Sequence, residues 1–141
     1  MQPSFDLPPD GAEELAALLE RSGVDFVRRE DRFQFRFSSG GCSWQTVCSC
    51  QGDRVLVYGI HPVEVVDVPG TLSLCSTLNG KLVEGSLFLQ EQHIVFRTSA
   101  QLTERFEAQA RIAAALEYNA AVLSHWWEQL AAGAQGLTFH F

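Results

Sequence analysis

No apolar run in the 141 residues approaches the roughly 20 positions that a bilayer-spanning helix requires. Met1 to Asp10 hold no basic segment and no apolar stretch, so no secretory signal is expected there. Lysine is nearly absent: of ten cations, nine are arginine and the other is Lys81. These cations are scattered along the chain, with Arg28 and Arg29 the adjacent pair, and the formal charge is −7. Nucleic-acid binding draws on a clustered basic footprint that neutralises phosphates and releases counterions. Neither nucleic acid nor a membrane is therefore an expected partner. The cytoplasm is the expected compartment, where the four cysteines stay reduced.

Catalytic signatures are missing as well. There is no H-E-x-x-H helix for zinc, no C-x₂-C pair and no G-x-S-x-G elbow. Ser39-Gly40-Gly41 has glycines but neither the lysine nor the helix onset of a phosphate loop. Glu104 and Glu107 are explained by a solvated helix face. The expectation is a protein without cofactor and without enzymatic activity; a small hydrolase would need a pocket holding perturbed acids or bases. Cysteine is the sharpest local chemistry. On a strand, Cys42, Trp44, Thr46, Cys48 and Cys50 share one face. A zinc site takes about four ligands, of which Cys48 and Cys50 supply two, with Cys42, Cys75, His61 or His93 to complete it. The Cys-x-Cys spacing, however, lays the thiols along an extended strand rather than around a turn. Two readings stay open: a thiol or metal sensor built on Cys48 and Cys50, or small buried thiols that pack.

With 46% apolar and 19% charged residues, the chain has enough to bury for one domain with one core. Residues 1–10, with Pro3, Pro8 and Pro9, read as an extended lead-in, residues 11–133 as the domain, and 134–141 as a tail. Asp10 is placed to cap a helix from about Gly11 to Arg21, with Glu13 to return the bond of a capping box and Gly23 to end it. Three or four strands follow. Phe33, Phe35 and Phe37 point one way, and Gln34 and Arg36 the other. Short turns at Ser38–Gly41 and Gln51–Asp53 imply an antiparallel meander. Pro62 and Pro69 bracket an extended crossover into a second helix, Pro69 to Leu78, stopped by Asn79-Gly80 through C-terminal capping. Strands over Val83–Leu89 and His93–Thr98 precede one long helix from about Thr103 to Ala131. The order α-β-β-β-α-β-β-α, with helices interrupting an antiparallel sheet, makes the class α+β.

This order and several local patterns resemble the YbjN-like family. The stretch Asp31-Arg32-Phe33-Gln34-Phe35-Arg36-Phe37 with its two following strands matches the first half of that pattern. So do Ile60-His61-Pro62, the helix running into Thr77-Leu78-Asn79-Gly80, and Phe96-Arg97-Thr98-Ser99. In that family an asparagine closes the second helix and a glycine opens the next strand, places filled by Asn79 and Gly85. The likeness covers roughly Ala12 to Gly133. Cys42, Cys48 and Cys50 are not part of it. The resemblance implies a bacterial regulator of sensory transduction, a label the family carries provisionally, and a fold similar to type III secretion chaperones. Those are small acidic proteins that often dimerise and bind extended protein segments. No catalytic residues come with it.

The implied partner is a protein or peptide segment, or a second copy in a homodimer. Candidate contact residues are Leu72, Leu74 and Leu78, because the second helix is apolar over more than one stripe. Trp126 and Trp127 join them: adjacent on a helix, they point about 100° apart, and exposed tryptophan is enriched at interface hot spots. The expected mode is an apolar groove between sheet and helix, or strand addition at an exposed edge.

Overall fold

The computed structural model describes residues 8–137. The expected lead-in up to Leu7 and the tail beyond Leu137 lie outside the described residues. The elements are α1 (Gly11–Arg21), β1 (Phe26–Arg29), β2 (Arg32–Ser39), β3 (Cys42–Gln51), β4 (Arg54–Ile60), α2 (Val68–Asn79), β5 (Ser86–Gln90), β6 (His93–Gln101), α3 (Arg105–His125) and α4 (Trp127–Ala134). All six strands form one antiparallel sheet in the order β1-β2-β3-β4-β6-β5. The meander therefore holds from β1 to β4. The α2 excursion then carries the chain to the far edge as β5, and β6 returns to lie beside β4.

Local chemistry sets the helix ends. Asp10 caps α1, its carboxylate accepting from the Ala12 N–H at 3.0 Å. Glu13, expected to return a bond to the cap amide, instead takes the Arg28 guanidinium at 2.9 Å. Asp67 caps α2 through the Gly70 N–H at 3.0 Å, with Pro69 in the first turn.

One expectation holds with an added role, and one needs correction. The second helix does stop at Asn79-Gly80, with Gly80 as its C-cap in a right-handed conformation at φ −67° and its N–H donating back to the Ser76 carbonyl. The Asn79 amide also reaches β5, donating to the Leu87 carbonyl at 2.9 Å and accepting the Leu87 N–H at 2.7 Å. Gly85 takes φ +80°, and a Cβ there would lie 2.7 Å from the Arg97 carbonyl oxygen, so only glycine fits. The long terminal helix breaks, at Trp126 with φ −99° and ψ 14°. There the His61 ring stacks on Trp127, centroids 4.1 Å apart, and its Nε2 bonds the Trp127 carbonyl at 3.1 Å.

Strand alternation sends every second side chain to the helix-covered face. One cluster there joins α1 and the first half of α3 to Phe33, Phe35, Cys48, Cys50, Val55 and Val57. A second joins α2, α4 and the rest of α3 to Trp44, Leu87, Ile94 and Phe96. Asn119 of α3 is buried and pins the helix to the sheet, its Nδ2 donating to the Phe96 carbonyl at 2.9 Å. The other face of the sheet carries no helix among the described residues.

Candidate functional site

The five contact residues expected from sequence have different fates. Leu72 is 51% exposed on α2. Leu74 is half-buried against Gly133 of α4 and the second cluster. Leu78 is buried in that cluster and has no surface to offer. Trp127 is wedged between Trp44, at 5.6 Å, and His61. Trp126 is half-buried, edge-on to His125 and under the Lys81 ammonium at 5.8 Å. The fold thus brings these residues near the α2–α4 contact, but mostly as packing.

The cysteines turn inward. Cys48 and Cys50 are buried on the helix-covered face, and Cys75 lies in the second cluster, across the molecule. Burial pushes the Cys48 thiol far above its ordinary range and the Cys50 thiol up to about 11, so both are held as protonated thiols. Among the described residues, no three His, Cys, Asp or Glu side chains gather as a metal ion would require. His61 is 2% exposed, with Nδ1 accepting the Val63 N–H and Nε2 on the Trp127 carbonyl. Burial lowers its pKa, against the Trp127 carbonyl, which raises it. Both ring nitrogens serve the backbone, which leaves neither free for proton transfer.

What sequence reasoning missed is the uncovered sheet face. Register places Arg29 opposite Arg32, Arg36 opposite Gln45, Arg54 opposite Gln101 and Arg97 opposite Tyr58. Cations scattered in sequence are therefore collected by alternation: five of the ten stand on this one face. Between them runs an apolar strip, Val47, Leu56, Tyr58, Ile60, Val95 and Phe88, each half-buried apart from the buried Val95. Two shallow depressions follow the strip. One of about 750 Å³ spans β1 to β3, one of about 650 Å³ spans β2 to β5, and they meet at Arg32 and Val47. A legible signal did exist: the six strands contain six arginines and not one aspartate or glutamate.

Two further features bear on binding. A smaller apolar groove of about 330 Å³ opens between α1, α3 and β2, floored by Phe35 and Phe37. At the sheet edges, β5 is fastened by Asn79 and backed by α2, whereas no strand among the described residues pairs with the outer side of β1, where Val27 is 60% exposed.

Neither protein-family models nor curated protein sequences match this chain. Among solved structures, a crystal structure of YbjN from E. coli, provisionally described as a transcription regulator, superposes with a TM-score of 0.61. The fold is YbjN-like. The alignment covers 91% of this chain and 95% of YbjN at 15% identity, so the likeness is one of fold. The resemblance drawn from Asn79 and Gly85 thus holds at that level. The geometry also explains the two residues physically: in this YbjN-like fold one fastens β5 and the other lets it start against β6. No helix among the described residues is long and apolar enough to cross a membrane.

Proposed function

We propose that this chain is a non-enzymatic regulatory protein of the cytoplasm that acts through protein–protein contacts, with the uncovered sheet face as its contact surface. The observation that carries this reading is the apolar strip along that face. An uncovered sheet in a monomer ordinarily shows a polar outer side, and a contiguous apolar strip rimmed by polar groups marks an interaction surface. The likeness to YbjN supports a regulatory role, and the buried thiols and occupied His61 nitrogens favour binding over catalysis. A second copy is a further partner in this proposal, meeting the first at the β1 edge to give a homodimer.

The test compares the natural chain with a Val47→Asp/Tyr58→Asp variant, both positions lying on the face and outside the core clusters. With each as folded bait in lysate of its own cell, the natural chain enriches one or a few polypeptides and the variant does not. Equal recovery by both would move the contact surface elsewhere. Light scattering of the natural chain reads the homodimer directly, as about twice 15.6 kDa.

A further inference from the structure

We infer that the occupant of the uncovered sheet face is an extended polypeptide segment that is both acidic and apolar, its carboxylates held by the five face arginines. This inference rests on the protein-binding reading of the face and specifies its partner.

Charge is its first support. The chain is acidic overall, yet the strands carry no carboxylate, and the acids lining the depressions of this face, Asp25, Glu84 and Glu91, stand in loops at its rim. Among the described residues, the two salt bridges pair Arg28 with Glu13 and Arg111 with Glu107, and neither involves Arg29, Arg32, Arg36, Arg54 or Arg97. An acidic protein that gathers half its cations on one surface, unneutralised, presents a local field opposite in sign to the rest of the molecule. Such a field attracts an anionic partner to that face. Arginine is also the cation whose planar fork takes a carboxylate bidentately.

Shape and polarity narrow the partner to polypeptide. The floor between the arginines is mainly aliphatic, from Val47, Leu56, Ile60 and Val95, which suits apolar side chains alternating with acids. Single-stranded nucleic acid instead uses flat aromatic platforms. Here Tyr58 and Phe88 meet at 87° with centroids 6.5 Å apart, so at most one ring can lie flat along the sheet. The overall charge of −7 also repels a polyanion extending beyond the face. Spacing adds a specific expectation. Arg32 and Arg36, four residues apart on β2, stand roughly 13 Å from each other, the length of four residues of an extended segment.

The experiment selects phage-displayed random 12-residue peptides on the immobilised full chain, then measures the affinity of enriched peptides by anisotropy. The expected enrichment is Asp or Glu at i and i+4, with Leu, Ile or Phe between. An Arg32→Gln/Arg97→Gln variant, with wild-type circular dichroism, should bind these peptides about 10-fold more weakly or worse. Raising salt should weaken binding to the natural chain and have little effect on the variant. Enrichment of neutral apolar peptides, unaffected by the arginine changes, would overturn the inference and leave the protein-binding reading standing. No enrichment above that on the Val47→Asp/Tyr58→Asp variant would overturn both. Tighter binding of a labelled oligothymidylate than of any selected peptide would overturn it in favour of nucleic acid.

Discussion

Replacing Gly59 with alanine tests how α3 is held to the sheet. A Cβ at this position would lie 2.3 Å from Asn119 Oδ1 and 2.4 Å from Leu123 Cδ1. Ordinary contact begins at 3.4 Å, so the neighbours must retreat by about an ångström in a close-packed interior. Both neighbours are buried. Moving Asn119 also sacrifices its bonds to the Phe96 carbonyl at 2.9 Å and to Thr98 Oγ1 at 3.3 Å. Two hydrogen bonds at about 1 kcal/mol each, with overpacking of about 1–3 kcal/mol, give a loss of about 3–5 kcal/mol. That is a large share of the roughly 5–15 kcal/mol typical of a domain. Thermal unfolding followed by circular dichroism should show a Tm lowered by roughly 10 °C or more. Combined with Asn119→Ala, which makes room, the Gly59→Ala change should cost less than the sum of the singles by more than about 1 kcal/mol. Gly80→Ala is the control: φ is −67° and the nearest atom 3.4 Å away, so stability should hold or rise slightly. A Gly59→Ala protein within about 0.5 kcal/mol of the natural one, or a strictly additive pair, would refute this account of the α3–sheet contact.

Asn79→Ala should cost about 1–3 kcal/mol by removing both bonds to Leu87, and hydrogen exchange should show the Leu87 amide losing protection before the β3 and β4 amides do. His61 gives stability a pH dependence. At about pH 8 the ring is neutral folded and unfolded, but as pH falls through about 6.5 the unfolded chain takes up a proton that the buried ring resists. Urea midpoints should therefore fall on acidification until the lowered folded pKa is reached, and His61→Gln should flatten that slope. Thiol labelling of the folded protein near pH 8 should modify Cys42 first and reach Cys48, Cys50 and Cys75 only on unfolding. Rapid modification of Cys48 or Cys50 in the folded state would instead favour the thiol-sensor reading.

Period and turn chemistry made most of the fold legible. The Phe33–Phe37 alternation, the tight turns and the Asp10 cap each report a local preference that packing leaves unchanged. The terminal helix reads as one because apolar residues continue through Trp126 and Trp127; at its break Trp127 meets His61, more than sixty residues away in sequence. Asn79 closes the helix as read, but its bonds to Leu87 were not legible, because that partner is set by where β5 returns. The binding face was the least legible part. Arg29, Arg32, Arg36, Arg54 and Arg97 are distant or merely alternate in sequence, and only strand register brings them to one surface. In sequence the cations therefore look scattered, and the clue that they share a sheet of one electrical sign is the absence of acids from every strand.

The Asn79 clasp on β5 also limits how copies of the chain can associate. A sheet with two open edges can add neighbours at both ends and grow without limit, which is the geometry of fibres. Here the Leu87 amide and carbonyl are already taken, and the β1 edge is left as the available one. In the proposed homodimer, edge pairing would join β1 to β1, and with β5 fastened each molecule would have no second edge among the described residues to extend the assembly beyond two.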